Sequence, residues 1–237
     1  MIKKHFIANV AINVIICFVL IIVAFIGLGD KSVTAVVENK AIYRGNTNEP
    51  YVSLMFNVYW GTEYLVPILK VLDEYNVKTT FFIGGVWATK NNKVLREIYN
   101  RGHEIASHGY SHKDAEHLSY EQNVDELRMT DAIIKNIIGV EPILFAPPSG
   151  SIGNEMFKAC NNLNKKVIMW SRDTIDWRDK DSNLVLKRAT LDIQNGDLIL
   201  MHPTPHTLKA LPTIISVLKA KNLHPTTVSK CIQDSVV

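Results

Sequence analysis

Strand-like and helix-like segments alternate along the chain after Pro50, and this alternation constrains the fold more than any other feature. Short runs rich in β-branched and aromatic residues predict strands, and longer runs with apolar residues on one face predict helices. The predicted strands are 51–56, 77–83, 103–106, 143–145, 166–170 and 197–201, and the predicted helices are 63–75, 93–100, 119–139, 154–162, 183–194 and 207–220. Repeated strand–helix units of this length predict a parallel α/β sheet or barrel.

The candidate functional residues follow several of the predicted strands. Asn57 and Val58 follow the first strand, His108 and His112 follow the third, and His202 follows the last. In parallel α/β folds the functional residues collect on loops at the carboxyl ends of the strands. Neutral imidazole is a common metal ligand, and a catalytic zinc site uses three protein ligands with a water. The histidine pair therefore indicates a metal site that needs a third ligand.

The first thirty residues differ from the rest of the 237-residue chain. Lys3 and Lys4 precede an uncharged apolar run at 6–29, and 24 residues rising about 1.5 Å each would cross a hydrocarbon core of roughly 30 Å. The flanking charges predict a membrane anchor with a cytoplasmic N-terminus and an extracytoplasmic domain. The alternative is a signal peptide cleaved near Ala35, although its apolar region is usually shorter than this run.

Three segments follow from this pattern. Residues 1–29 are expected to form a cytoplasmic tip and a transmembrane anchor, and 30–50 a polar stalk with a strand leading into the domain. Residues 51–237 are expected to form one domain with a single core. The formal net charge is only +3 and no basic block occurs, so nucleic acid is not an expected partner.

Five stretches occur in the order found in one enzyme family. The chain resembles the polysaccharide deacetylases, the NodB-homology group also called carbohydrate esterase family 4. The resemblance implies a distorted (β/α) barrel that hydrolyses N-acetyl groups on cell-wall or spore-wall glycan, either peptidoglycan or a chitin-like polymer, with a zinc-type divalent metal. The stretches are Val-Lys-Thr-Thr-Phe-Phe-Ile-Gly at 77–84, the histidine segment at 102–112, Pro-Pro-Ser-Gly at 147–150, Asp-Thr-Ile-Asp-Trp at 173–177 and Leu-Ile-Leu-Met-His at 198–202.

The resemblance also implies roles for individual residues. His108 and His112 would be metal ligands, and the metal would polarise the acetyl carbonyl and the attacking water. His202 would protonate the leaving amine, with Asp176 orienting its ring. The residues expected to contact the glycan are Trp177, Pro148, Tyr59 and Trp60.

The first motif of the family is where this chain departs from the pattern. The family sequence is Thr-Phe-Asp-Asp-Gly-Pro, and residues 55–60 here read Met-Phe-Asn-Val-Tyr-Trp. Asn57 therefore stands at the general base, and Val58 stands at the third metal ligand. Ala146 replaces an arginine that pairs with the base. These losses fit one another, because removing one member of a buried ion pair costs about 3–5 kcal/mol.

Two functions remain open on this pattern. The first is a metal-dependent deacetylase in which another carboxylate replaces the lost ones, from Glu63, Asp114, Asp173 or Asp179. The second is a catalytically impaired pseudoenzyme that binds glycan or a partner protein, with metal held weakly or absent.

Overall fold

The computed structural model describes residues 15–19 and 40–233. The chain divides into a first unit, Met1–Glu38, and a second, Asn39–Val237. Residues 15–19 are helical. Within the described ranges, none of the helices has the length and apolar character needed to cross a bilayer. Most of the anchor predicted at 6–29 lies outside the described residues.

The second unit is built on one sheet in which all strand pairs are parallel. The hydrogen-bonded order is β1-β6-β5-β4-β3-β2-β8-β7, and β9 pairs with the first half of β2. The sheet therefore ends at β1 and β7 as a curled half-barrel, whereas the sequence led us to expect a distorted barrel. The strands are β1 Ala41–Ile42, β2 Tyr51–Val58, β3 Thr80–Ile83, β4 Glu104–Ser107, β5 Leu144–Phe145, β6 Lys166–Ile168, β7 Arg172–Asp173, β8 Leu198–Met201 and β9 His224–Thr226.

Helices connect most successive strands, as the alternation predicts, whereas loops join β1 to β2 and β6 to β7. The longest helix begins at a capping box in which the Ser119 hydroxyl accepts from the Gln122 N–H, and it ends at Gly139, whose φ of 77° is left-handed. The helices are α1 Thr62–Glu74, α2 Gly85–Lys90, α3 Asn92–Asn100, α4 Tyr120–Ile138, α5 Asn154–Asn162, α6 Ser182–Thr190, α7 Pro205–Ala220 and α8 Val228–Cys231.

The alternation of side chains along β2 positions the functional site. Val52, Leu54, Phe56 and Val58 are buried in the largest apolar cluster, together with apolar residues of α1 and α7. Successive side chains of a strand point to opposite faces, so Asn57 lies on the other face of the sheet. This face carries the open end of the half-barrel, where Asn57 lines a cavity.

Three short elements were not predicted from the sequence. α2 begins at Gly85, where the Gly84-Gly85 pair indicated only the end of a strand. β7 and β9 are two and three residues long, too short to show a period of two. β1 pairs with β6 and lies within the segment 30–50, where a strand leading into the domain was expected.

Candidate functional site

One cavity of about 360 Å³ opens at the carboxyl ends of β2, β4 and β8, where the sequence predicted the functional residues to meet. We call this cavity the cleft. It brings together both histidines of the pair, His202 and the first-motif residue Asn57. The cleft is lined by Asn57, Tyr59, His108, His112, Ser149, Trp170, Asp173, Trp177, Leu200 and His202.

His202 is held by a complete hydrogen-bond network. Its Nδ1 lies 2.8 Å from one carboxylate oxygen of Asp176, and its backbone N–H donates to the other oxygen at 2.7 Å. The Thr207 hydroxyl, at the start of α7, donates to that same oxygen. Asp176 is buried, and its three hydrogen-bond partners are groups of two residues, His202 and Thr207. Because Nδ1 faces the carboxylate, Nε2 is free to face the cleft, which is the arrangement expected of an oriented acid.

The histidine pair is positioned by the loop after β4. The two ring centroids lie 5.1 Å apart, and the His108 Nδ1 lies 2.8 Å from the Ala146 carbonyl oxygen. A carbonyl only accepts, so Nδ1 carries the proton and Nε2 is left as an acceptor. That Nε2 is buried and has no hydrogen-bond partner among the described residues. Burial lowers the pKa of His108 to about 3, with a further contribution from His112, so the ring is neutral at physiological pH.

None of the three positions that depart from the family motif carries the charged side chain that the family has there. Asn57 is buried in the cleft wall, and its Oδ1 meets no hydrogen-bond donor within the described part of the chain. Val58 is fully buried in the apolar cluster on the opposite face of the sheet. Ala146 is also buried and offers the cleft region only its backbone carbonyl, to His108.

Aromatic rings occupy the space around the imidazoles. The Tyr59 ring stacks on His112, with centroids 3.7 Å apart and planes at 28°, and its centroid is 5.6 Å from that of His108. Trp60 lies parallel to His202, at 5.9 Å and 7°. The family motif has Gly and Pro at these two positions. In this chain, the rings therefore cover the faces of the histidines.

The residues present do not complete a three-ligand metal site. The described residues contain no cluster of three His, Cys, Asp or Glu placed to hold an ion. Of the four candidate carboxylates, Asp173 lines the cleft, whereas Glu63 and Asp114 are exposed and do not. Asp179 forms ion pairs with Arg178 and Arg188, which hold the pKa of its carboxyl well below the ordinary value.

The remaining contact residues differ in part from the prediction. Trp177 lines the cleft rim and is 53% exposed, whereas Pro148 is buried beside Gly109 and the adjacent Ser149 reaches the cleft. Trp170 lines the cleft but was predicted only as the end of a strand. A Cβ on Gly150, whose φ is 67°, would lie 2.8 Å from the Trp170 ring, so a glycine is required there.

Comparison with known proteins identifies the family. The family model described as polysaccharide deacetylase matches residues 44–168, more than half of the chain. The chain belongs to the polysaccharide deacetylase family. A peptidoglycan-N-acetylglucosamine deacetylase of Bacillus cereus is 30% identical over 198 residues, which cover 81% of this chain and 72% of that protein. The resemblance noted in the sequence is thus confirmed.

Two further relatives bear on this member of the polysaccharide deacetylase family. The uncharacterized protein YlxY of Bacillus subtilis (strain 168) is 36% identical over 84% of this chain, which spans only 62% of YlxY. The crystal structure of a carbohydrate esterase family 4 pseudoenzyme from Bacillus anthracis is 35% identical with a TM-score of 0.80, covering 82% of this chain and 69% of that one. A mutant of that pseudoenzyme is described as having restored enzymatic activity.

Proposed function

We propose that this protein is a catalytically impaired polysaccharide deacetylase that holds an amino-sugar glycan, peptidoglycan or chitin-like, in the cleft. The observation that carries the proposal is the side chain of Val58, which is packed in the apolar core at the position of the third metal ligand. Aliphatic carbon has no lone pair to donate, so the pair His108 and His112 falls one ligand short.

The neighbouring base position supports the same conclusion. The Asn57 amide cannot accept a proton near neutral pH, so it cannot activate water as a carboxylate does. Ala146 removes the cation that would have paired with a carboxylate at position 57. The similarity to a pseudoenzyme of the same family supports loss of turnover. The similarity to peptidoglycan deacetylases supports a glycan as the ligand.

A hydrolase that uses a substitute carboxylate is the second candidate. One observation favours it: the network of His202, Asp176 and Thr207 is intact, and Asp173 lines the same cleft. In this case Asp173 would serve as base or ligand in place of the lost aspartates.

Acetate release from N-acetylglucosamine oligomers separates the two candidates. We expect the purified domain to release no acetate above the blank with added zinc, and to bind less than one zinc per chain. We also expect it to bind glycan. Acetate release that is abolished by His108→Ala and by Asp173→Asn would overturn the pseudoenzyme proposal. The matched control is Asp192→Asn, an exposed aspartate outside the cleft.

The apolar run at 6–29 supports a second proposal, that the domain is anchored to a membrane and faces outward. Full-length chain is expected in the membrane fraction after alkaline washing. A mature N-terminus near Ala35 would instead show that the run is a cleaved signal peptide.

A further inference from the structure

The formally charged side chains at the cleft are acidic. Asp173 alone, among the described residues that line it, is an Asp, Glu, Lys or Arg. The arginine implied at position 146 is an alanine. The Asp176 carboxylate lies directly behind His202. The formal charges fixed at this site are therefore negative.

Two buried acceptor atoms at the cleft lack a donor. Asn57 Oδ1 and His108 Nε2 both lie on cleft-lining residues, and neither has a partner among the residues that the structure describes. Buried polar atoms in folded proteins nearly always have a partner, so each unpaired atom calls for an explanation. A ligand that brings N–H or O–H donors would satisfy both.

Asp173 has the features of a binding carboxylate. One of its oxygens accepts the Ile175 N–H at 2.8 Å. The nearby Arg188 does not pair with it, because its guanidinium donates to the Thr174 carbonyl and to Asp179. Burial raises the pKa of the Asp173 carboxyl, while the Ile175 N–H and the nearby His202 ring act in the opposite direction. A cationic ligand would supply the missing countercharge.

Three aromatic residues complete the walls of the cleft. Tyr59, Trp170 and Trp177 line it, and the indole of Trp177 is half exposed at the rim. Aromatic faces attract cations and also stack on the apolar faces of sugar rings. A sugar that carries a positive charge matches both properties.

We infer that the cleft binds de-N-acetylated glycan, with the protonated amine of a glucosamine unit against Asp173, Asn57 and His108. This inference rests on the proposed function and specifies its ligand. An ammonium group brings three donors and a charge, whereas an N-acetyl group brings one N–H and a carbonyl that needs donors. The protein would then recognise the product of its active relatives. The reaction that supplies such a ligand is hydrolysis of the N-acetyl amide.

Binding of paired oligomers tests the inference. Calorimetric titration compares a β-1,4-linked glucosamine tetramer with the N-acetylglucosamine tetramer, and we expect the amine form to bind more tightly. Asp173→Asn is expected to weaken binding of the amine tetramer about tenfold, the size of one lost charge-assisted hydrogen bond, and to leave the acetylated tetramer unchanged. Asn retains an acceptor for the Ile175 N–H, so the loop should keep its structure. Asp192→Asn is the matched control and should change neither affinity.

The outcomes separate this inference from the proposed function. Equal or tighter binding of the acetylated tetramer would overturn the inference and leave a glycan-binding pseudoenzyme. Binding of neither tetramer would overturn both. Spermidine distinguishes a sugar site from a general amine site: affinity equal to that of the glucosamine tetramer would overturn the assignment to glycan. A higher affinity of Asn57→Asp for the amine tetramer, from a second carboxylate at the same position, would support the inference.

Discussion

The two halves of the cleft differ in how completely their buried polar groups are paired. In the His202 half, the Asp176 carboxylate accepts from an imidazole, a backbone N–H and a hydroxyl. In the Asn57 half, Asn57 Oδ1 and His108 Nε2 have no partner within the described ranges. The first half keeps the pairing that an oriented acid requires. The second half retains its histidines without the carboxylates that would have met them.

This difference teaches that the departures from the family motif cluster at the carboxyl ends of β2 and β5. The base and the third ligand both belonged to the end of β2, and their arginine partner belonged to the loop after β5. All three positions depart from the family pattern, while Asp176, in the loop after β7, and His202, in the loop after β8, match it. The base carboxylate and its arginine partner are absent together, as expected when a buried charge without its partner is destabilising.

The largest expected effect comes from removing the Asp176 carboxylate, which pairs the buried polar groups of the His202 half. Asp176→Ala leaves the donors from His202 and Thr207 without an acceptor, and we expect the free energy of unfolding to fall by about 3–5 kcal/mol. Asn57→Ala removes an atom that already lacks a partner, so we expect a loss within about 1 kcal/mol. Urea denaturation of the two variants and the parent measures the difference. Equal losses would contradict the distinction between the halves.

The second prediction concerns the Asn57 half of the cleft. Val58→Asp places a carboxyl group in the apolar cluster, and we expect a loss of about 3 kcal/mol that added zinc does not recover. The double variant Tyr59→Gly/Val58→Asp removes the ring stacked on His112 and restores the family's glycine. Glycine at position 59 gives the backbone the freedom to turn at the end of β2, so that the new carboxylate can reach the histidine pair. We therefore expect zinc to raise the denaturation midpoint of the double variant.

Val58→Thr with Tyr59→Gly is the control for this pair, because a similar volume without a carboxylate should give no response to zinc. Equal stabilisation of the Val58→Asp single variant by zinc would show that Tyr59 does not block the site.

The organisation of the fold was predictable from the sequence where local signals are strong. The capping box at Ser119 and the glycine at 139 located α4, and α5 has the predicted bounds 154–162. β7 and β9 could not be predicted, because they are defined by long-range pairing with β8 and β2 rather than by local pattern. Pro225 within β9 also disfavours the prediction of a strand, because proline has no backbone N–H to donate.

The site was predictable in its histidines and less so in its orientation. The motifs located His108, His112 and His202, and all three line one cleft. The first strand was expected to end at residue 56, but β2 continues to Val58. Its alternation therefore continues through the motif and sends Asn57 and Val58 to opposite faces. Ser149 lines the cleft where Pro148 was predicted. The backbone at Ser149 has a left-handed φ of 55°, which no local pattern indicates.

The third prediction concerns the buried His103. Burial lowers the pKa of His103 to about 4, so the unfolded chain takes up this proton near 6.5, before the folded chain does. Stability is thus full above pH 6.5 and is lost as the pH falls towards 4, a contribution of roughly 3 kcal/mol. His103→Gln should flatten this dependence in denaturation measurements above and below pH 6.5, because Gln carries no titrating group. An unchanged slope would mean that His103 does not remain neutral in the fold.

The smallest effect on stability is expected at the rim of the cleft, where we propose that glycan binds. Trp177 is 53% exposed and its ring lies 5.9 Å from the Arg178 guanidinium, so Trp177→Ala should change the free energy of unfolding by no more than about 0.5 kcal/mol. Loss of the aromatic face should still weaken binding of the glucosamine tetramer several-fold, as measured by calorimetry. Trp60→Ala is the contrasting variant. The Trp60 ring packs on His202 in the His202 half, so its removal should reduce stability more than Trp177→Ala does. If Trp177→Ala reduced stability as much as Trp60→Ala and left binding unchanged, the rim would be part of the fold rather than part of the ligand site.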